Sequence, residues 1–223
     1  MYEFQNILSA PNEIKISTDM NKILILFAHP ALQKSRVNRE LIKNIHTING
    51  VTFRDLYEIY PDLDISIRTE QALLLEHDII VFQHPFYWYS TPAILKEWQD
   101  LVLEHGWAYG QEGKALHGKK MFSVISTGGR EEAYQKQGYN RYTIRELLSP
   151  IDQTAYLCGM EYLPPFVAYG THRMSPEDIS RHRQNYHRVL NALVDDRIDY
   201  AKLRRYDRIN IDLNAIIITK SGR

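Results

Sequence analysis

The sequence predicts an α/β domain in which helices cover both faces of a doubly wound, five-stranded parallel sheet. Short apolar, β-branched runs alternate with amphipathic helical stretches five times along the chain. The first and third runs, KILILF and IIVFQ, are apolar almost throughout, as in strands that are covered on both faces. The chain has 223 residues, enough for one such domain with additions at its ends.

The strands are predicted from these runs at residues 22–27, 51–57, 79–83, 121–125 and 162–169. Helices are predicted around residues 37–45, over 68–77, from Pro92 onward, over 143–158 and from Pro176 to about Leu193. Pro150 is expected to interrupt the fourth helix, because proline lacks an N–H and clashes with the preceding turn. The last helix has a strong start, since Ser175 can cap it and proline follows at the first helical position.

These units fill residues 22–194, which we expect to form a single domain. Residues 1–21 and 195–223 are then N-terminal and C-terminal extensions. The apolar run INIDLNAIIIT in the second extension could form an edge strand or join a partner chain. The basic side chains of this extension are interpreted as solvated, because acidic residues are interleaved with them: Lys202, Arg204, Arg205 and Arg208.

Composition excludes several classes of function. Lys plus Arg and Asp plus Glu number 27 each, so no global charge points to nucleic acid or an anionic membrane. The single cysteine, Cys158, excludes an internal disulfide and a cysteine-rich metal site, and we expect a buried, unreactive thiol. No metal site is predicted, and His84 is interpreted as the partner in a strand-end hydrogen bond. The sequence lacks a membrane-length apolar run and a signal peptide, which favours a cytoplasmic location.

Because ligands of such sheets bind beyond the carboxyl ends of the strands, the loops after strands one, three and four carry the functional prediction. The first loop, AHPALQKSRVN, runs directly into a helix, whose unpaired N–H groups can receive a phosphate. Ser35 and Asn38 add side-chain donors, Arg36 adds a charge, and His29 leaves the strand end. The alternative is that Ser35 only caps the helix.

The second loop, HPFYWYSTP, places consecutive aromatic side chains at the end of the third strand: Phe86, Tyr87, Trp88 and Tyr89. A flat heteroaromatic ligand needs apolar walls and backbone amides along its edge, and this loop can supply both. The alternative is that Trp88 and Tyr89 pack in the core or at a dimer interface. The third loop, STGG, lets backbone N–H groups approach a ligand closely, although Gly-Gly is most often a plain turn.

These loops, in this order, resemble the NAD(P)H:quinone oxidoreductase family of flavodoxin-like proteins. The resemblance is strongest to the ancillary subunits of bacterial glutathione-regulated potassium-efflux systems, and it covers about residues 22–194. It is carried by the segments ILILFAHPALQKSRVNR, DLYEIYPDLDI, VFQHPFYWYSTPAILKEW, HGWAYG, LHGKK and STGG.

The resemblance implies bound FMN, with FAD less expected, and NAD(P)H as co-substrate. It implies that the flavin phosphate and ribityl chain lie against His29, Ser35, Arg36, Val37 and Asn38. It implies that the flavin ring is lined by Phe86, Tyr87, Trp88 and Tyr89, and that its pyrimidine edge is closed by Ser126, Thr127, Gly128 and Gly129. Tyr134 matches a tyrosine that stabilises charge on the reduced flavin, but Asn140 stands where the family has a histidine and cannot become cationic.

The expected function is therefore transfer of hydride from NAD(P)H to FMN and then to a quinone-like acceptor. The alternative is a regulatory subunit that docks on a potassium-efflux transporter and activates it with little or no catalysis. An electron carrier of the flavodoxin type ranks lower, because such carriers have strongly acidic surfaces. The resemblance also implies a homodimer and, with a transporter partner, a peripheral position at the inner membrane; no nucleic-acid partner is expected.

Overall fold

The computed structural model describes residues 20–219, and its centre is a parallel β-sheet. The strands are β1 (Ile23–Phe27), β2 (Val51–Asp55), β3 (Ile79–Pro85), β4 (Lys120–Ser126), β5 (Glu161–Tyr162) and β6 (Phe166–Ala168). They follow the order β2-β1-β3-β4-β5, and β6 also pairs with β4. Chain order reverses between β1 and β3, which is the point where such sheets open a crevice for ligands. The prediction of a doubly wound parallel sheet is confirmed.

The predicted fifth strand is divided into β5 and β6, which lie one after the other along the same edge of β4. Pro164 and Pro165 stand between them. Proline has no N–H to donate to a ladder, so two consecutive prolines interrupt the pairing. The strand prediction for 162–169 is therefore right in position and wrong in continuity.

The helices are α1 (Arg36–Leu41), α2 (Leu56–Ile59), α3 (Ile67–Glu76), α4 (Ala93–Val102), α5 (Ile144–Leu147), α6 (Ser149–Leu157), α7 (Pro176–Val194), α8 (Tyr200–Leu203) and α9 (Leu213–Ile216). The predicted helix over 143–158 is interrupted as expected, since α5 ends at Leu147 and Pro150 lies in the first turn of α6. The first helix is shorter than predicted, because Asn44 adopts a left-handed backbone conformation. Pro176 begins α7 after the Ser175 cap, as predicted.

Two hydrophobic cores lie on opposite faces of the sheet, because successive side chains of each strand point to opposite sides. One core joins alternate residues of the central strands, such as Leu24 and Phe82, to α3, α4 and α6. The other joins Ile25 and Phe122 to α1 and α7. Covering both faces explains why the central strands are apolar along their whole length.

Buried Glu70 of α3 fixes the first core to its neighbouring helices. Its carboxylate accepts hydrogen bonds from Arg54 Nη2 at 2.5 Å, Tyr60 Oη at 2.7 Å and Trp98 Nε1 at 2.9 Å. A buried carboxylate is tolerated only when it is paired and hydrogen-bonded in this way. The network joins β2, α3 and α4, and α4 directly follows the aromatic loop.

Among the described residues, the apolar run near the C-terminus forms α9 and one antiparallel bridge between Ile217 and Ile198, so the edge-strand alternative is wrong. Asp212 caps α9 by accepting hydrogen bonds from the N–H groups of Asn214 and Ala215. Ile209, Leu213 and Ile216 are buried in the second core. Tertiary burial and the cap override the strand propensity of the isoleucines. Residues 1–19 and 220–223 lie outside the described part of the chain, so the expected N-terminal extension is untested.

Candidate active site at the carboxyl edge of the sheet

The loops that follow β1, β3, β4 and β6 meet at the carboxyl edge of the sheet, around a cleft of about 370 Å³. Nine of the predicted site residues line it: His29, Ser35, Arg36, Val37, Asn38, Phe86, Tyr87, Ser126 and Gly128. The others flank the cleft without lining it: Trp88, Tyr89, Thr127, Gly129, Tyr134 and Asn140. No carboxylate is among the lining side chains, which also include Lys34. The cleft therefore suits an anionic ligand.

The first loop ends at Ser35, the N-cap of α1, whose side chain accepts from the N–H of Asn38 at 3.1 Å. The capping alternative is thus correct as a local description. It leaves the N–H groups of Arg36 and Val37 without an acceptor inside the helix, because the first turn of a helix has none. The Ser35 hydroxyl proton is also free to donate. Capping and phosphate binding are therefore compatible at this position.

Buried Asn38 joins the first loop to the third. Its Nδ2 group donates to Ser35 Oγ at 3.1 Å and to Ser126 Oγ at 2.9 Å. A side-chain amide nitrogen has two protons, so both are used in holding the two loops together. The Asn38 side chain is consequently a bridge between loops, and the start of α1 offers a ligand the N–H groups of Arg36 and Val37 and the Ser35 hydroxyl, beside the cationic side chains of Lys34 and Arg36.

His29 joins the first loop to the second. Its Nδ1 atom accepts from the N–H of Ala31 at 3.1 Å, and burial lowers the pKa of the ring below its ordinary value. The ring is therefore neutral at pH 7, with its proton on Nε2 as a donor. It packs edge-on against the Tyr87 ring, with centroids 6.0 Å apart. The first loop and the aromatic loop thus border one continuous cleft.

The aromatic loop turns sharply through Trp88 and Tyr89, whose φ angles are +49° and +61°. The N–H of Ser90 bonds to the Tyr87 carbonyl at 3.0 Å, which closes a four-residue turn of the primed type. Such a conformation in residues other than glycine costs about 1 kcal/mol or more for each residue. Trp88 is 93% exposed and Tyr89 is 46% exposed, so the alternative that they pack in the core is wrong. Phe86, by contrast, is buried.

The STGG loop is held against the segment that follows β6. The N–H groups of Gly170 and Thr171 bond to the carbonyls of Gly129 and Thr127, at 2.8 and 3.0 Å. A Cβ atom at Gly128 would lie 2.7 Å from Nε2 of His172. A side chain at position 128 would therefore displace the exposed His172 ring and obstruct access to the backbone of this loop.

Tyr134 and Asn140 lie beside this loop. The side chains of Thr127 and Asn140 adjoin the Tyr134 hydroxyl and favour its ionisation, but burial is the larger effect and raises the pKa of the phenol. Asn140 Oδ1 also accepts from Tyr89 Oη at 3.1 Å. Tyr134 therefore stays protonated at neutral pH and is positioned by residues of both the second and the third loop.

His84 is the first residue of the segment HPFYWYSTP, at the carboxyl end of β3, and is fully buried. Its Nδ1 atom bonds to the Pro85 carbonyl at 3.0 Å, so the predicted strand-end hydrogen bond is confirmed. Burial lowers its pKa to about 4, which keeps the ring neutral. Among the described residues, no three His, Cys, Asp or Glu side chains are grouped to hold a metal ion.

Thr171 and His172 line the cleft but are absent from the sequence prediction. They follow β6, and the carboxyl end of every parallel strand faces the same edge, so the loop after the fifth strand was the available signal. A larger groove of about 800 Å³ lies elsewhere, along α7 and residues 217–219. Its basic side chains are engaged locally: Arg183 pairs with Glu40 and Arg197 with Asp195. It is the weaker candidate.

Comparison with known proteins agrees with this geometry. A family model described as a flavodoxin-like fold matches residues 21–190. The chain belongs to this flavodoxin-like family. Two curated relatives are similar over most of their length. General stress protein 14 of Bacillus subtilis is 51% identical over 159 residues, which span 71% of this chain and 91% of that protein. The glutathione-regulated potassium-efflux system ancillary protein KefG of Yersinia enterocolitica is 48% identical over 171 residues, 77% of this chain and 93% of that protein.

Two solved structures share the architecture. General stress protein 14 from Treponema denticola, in complex with FMN, superposes with a TM-score of 0.74 at 36% identity, covering 77% of this chain and 99% of that one. An NADPH-quinone reductase from P. pentosaceus superposes with a TM-score of 0.69 at 33% identity, covering 75% and 96%. The resemblance to quinone reductases and potassium-efflux ancillary proteins is thus confirmed, and these neighbours support an oxidoreductase.

Proposed function

We propose that this protein is an FMN-dependent oxidoreductase that transfers hydride equivalents from NAD(P)H to a quinone-like acceptor. The observation that carries the proposal is the single cleft in which unpaired donors at the start of α1 and the aromatic face of Phe86 and Tyr87 meet. One elongated ligand with an anionic tail and a flat ring matches both ends. The FMN complex of the Treponema relative and the name of the P. pentosaceus reductase support this assignment.

The residues of the cleft fit FMN by their chemistry. Lys34, Arg36 and the Ser35 hydroxyl provide positive charge and donors for a phosphate, without a competing carboxylate among the lining side chains. Phe86 and Tyr87 provide apolar surface for a ring, and the absence of a Cβ at Gly128 leaves backbone groups accessible. FAD fits less well, because the described cleft has no separate adenine pocket.

When bound, FMN would supply the hydride chemistry, and the protein would supply orientation and electrostatics. His29 and Tyr134 are both neutral at pH 7 and can donate hydrogen bonds without a proton being lost. Asn140 can also donate a hydrogen bond but cannot carry a positive charge, so negative charge on a reduced flavin beside it would be stabilised by the dipole of the amide and not by a cation. In this role Tyr134 and Asn140 are the proposed catalytic residues.

The test uses purified full-length protein and FMN. We expect a yellow protein that oxidises NADPH or NADH only when a soluble quinone is present, with ping-pong kinetics if both substrates use the one cleft. A colourless protein that does not take up added FMN would exclude the enzyme. Mass spectrometry of the released ligand distinguishes FMN from FAD.

The second candidate is a regulatory subunit that activates a potassium-efflux transporter, and the similarity to KefG favours it. Such a protein would act in the cytoplasm, peripherally at the inner membrane. No helix among residues 20–219 is long and apolar enough to cross a bilayer. Yellow protein that lacks turnover with every soluble quinone, but raises potassium efflux when co-expressed with a transporter of this class, would support regulation instead of catalysis.

We also propose a homodimer and a single domain over residues 22–194, with the segments outside it as extensions. Exposed Trp88 lies beside the cleft and is available to a second subunit. Light scattering is expected to give twice the chain mass, and Trp88→Ser is expected to shift the protein toward the monomer. A monomeric wild-type protein would contradict the dimer.

A further inference from the structure

The C-terminal residues 208–210, here called the clamp segment, lie beyond the family match at 21–190 but contact the sheet edge beside the candidate site. Asn210 donates from Nδ2 to the Val167 carbonyl at 2.9 Å and accepts from the Val167 N–H at 3.0 Å. The N–H of Ile209 bonds to the Pro165 carbonyl at 2.9 Å. The clamp segment therefore satisfies the open edge of β6 much as another strand would.

Arg208 extends this contact to the loop after β4. Its guanidinium makes two parallel bonds to Glu131, from Nη1 at 2.5 Å and Nη2 at 3.0 Å. It also lies over the Tyr169 ring, with Cζ 5.5 Å from the centroid. The Arg208 side chain is only 18% exposed, so the expectation of a solvated residue is wrong. Paired, planar contacts of this kind fix geometry better than a single ion pair does.

The residues held by Arg208 lead directly to Tyr134. Glu131 begins the short helical turn Glu131–Tyr134. The Tyr169 ring packs on the Tyr134 ring with centroids 5.7 Å apart, and a Cβ atom at Gly129 would lie 3.1 Å from Tyr134 Cε2. Tyr134 is the one buried residue between 130 and 142. The segment of residues 130–142 is thus largely exposed, and the contacts of Arg208 are among the few that hold this segment against the rest of the protein.

We propose that Arg208 is a positioning residue that holds the Glu131–Tyr134 turn, and with it the Tyr134 hydroxyl, beside the cleft. The role rests on the proposed function in so far as Tyr134 acts on a bound flavin or acceptor. The clamp segment lies C-terminal to residues 21–190, the part of this chain that the flavodoxin-like family model matches.

Arg204 offers a control outside the clamp segment, because it is another C-terminal arginine with a glutamate partner. Its Nε atom donates to Glu161 Oε1 at 2.7 Å, and Glu161 lies at the amino end of the parallel edge, opposite the site. Arg204→Met and Arg208→Met thus remove arginine–glutamate pairs at opposite ends of the sheet, of which the Arg204 pair is the more exposed to solvent. Arg208→Lys keeps the charge but loses the paired geometry, and Glu131→Gln tests the partner without touching the clamp segment.

The first measurement is amide hydrogen exchange of full-length protein, which needs neither flavin nor turnover. We expect Arg208→Met to speed exchange across residues 130–140 by about tenfold, Glu131→Gln to speed it there as well, and Arg208→Lys to restore part of the protection. Arg204→Met should leave these residues unchanged. Equal exchange in Arg208→Met and Arg204→Met, or in Glu131→Gln and wild type, would overturn the proposal.

The second measurement is steady-state turnover of the flavin-loaded protein. Arg208→Met is expected to lower kcat about three- to tenfold, because Tyr134, a proposed catalytic residue, is then less well placed to stabilise charge on the reduced flavin. A role in stability alone would leave kcat unchanged below the unfolding temperature. If the protein binds no flavin, the proposed function fails, whereas the exchange result still decides the positioning of the turn.

Discussion

Replacing Ser35 by aspartate separates its two roles, because aspartate preserves one of them and opposes the other. Aspartate is as good an N-cap as serine, and its carboxylate can accept from the Asn38 N–H and Nδ2 in place of Ser35 Oγ. The free energy of unfolding should therefore change by less than about 0.5 kcal/mol. The new charge, however, would stand where the FMN phosphate is proposed to bind.

The size of the effect follows from Coulomb's law. Two unit charges about 4 Å apart repel by about 1 kcal/mol in bulk water and about 4 kcal/mol near a protein surface of lower effective dielectric. These energies correspond to a loss of FMN affinity between about fivefold and about a thousandfold. Lys34 and Arg36 border the same cleft and offset part of the repulsion. Added salt should reduce the loss, since the cleft is open to solvent.

The assay titrates apoprotein with FMN and with riboflavin, following quenching of flavin fluorescence. Ser35→Asp should weaken FMN and leave riboflavin unchanged, because riboflavin has no phosphate. Ser35→Ala should instead lose the helix cap, and with it about 1 kcal/mol of stability, whereas its FMN affinity should fall less than that of Ser35→Asp. Ser66→Asp, at the N-cap of α3 outside the cleft lining, controls for an added charge at a helix start.

Retention of FMN by Ser35→Asp as tightly as by wild type would refute the assignment of the phosphate to the first loop. An equal loss of FMN and riboflavin would mean that the substitution distorts the cleft. The double replacement Ser35→Ala with Asn38→Ala is expected to weaken flavin retention too. It is less informative, since it also removes the hydrogen bond from Asn38 to Ser126 that joins two loops.

Three further predictions concern stability and reactivity. Glu70→Ala should lower the free energy of unfolding by about 3 to 5 kcal/mol, because the donors on Arg54, Tyr60 and Trp98 lose their acceptor. In the same urea titration, Glu76→Ala at the exposed end of α3 should change this free energy little. The pKa of His84 is about 4 in the folded protein and 6.5 in the unfolded protein, so the stability that the neutral ring contributes is complete above pH 6.5 and is lost as the pH falls toward 4. Between pH 7.5 and 5.0, the free energy of unfolding of wild type should therefore fall by about 2 kcal/mol more than that of His84→Leu, and equal losses would contradict this. Cys158 is buried and burial raises the pKa of its thiol, so a thiol reagent such as Ellman's reagent should modify it at least a hundredfold more slowly in native protein than in guanidinium chloride.

The sequence by itself determined the parallel sheet and the edge at which the site lies. Strands buried on both faces must be apolar throughout, and this pattern is visible without coordinates in KILILF and IIVFQ. The parallel arrangement then places the loops after β1, β3 and β4 at one edge. Ser175 and Pro176 marked the start of α7 for an equally local reason, since a cap and a first-turn proline act within four residues.

The tertiary structure decided what depends on contacts between distant residues. Asn38 serves as a bridge because Ser126, 88 residues away, comes within 2.9 Å of it. His172 enters the cleft because β6 ends beside the STGG loop, and Arg208 is shielded because Glu131 and Tyr169 meet it. The apolar run near the C-terminus predicts a strand, yet Leu213–Ile216 form a short helix, because Leu213 and Ile216 are buried in the core shared with α7 and this burial outweighs local propensity. Local sequence patterns indicate which face of each segment packs on the sheet, whereas contacts between residues far apart in the chain are set only when the chain folds.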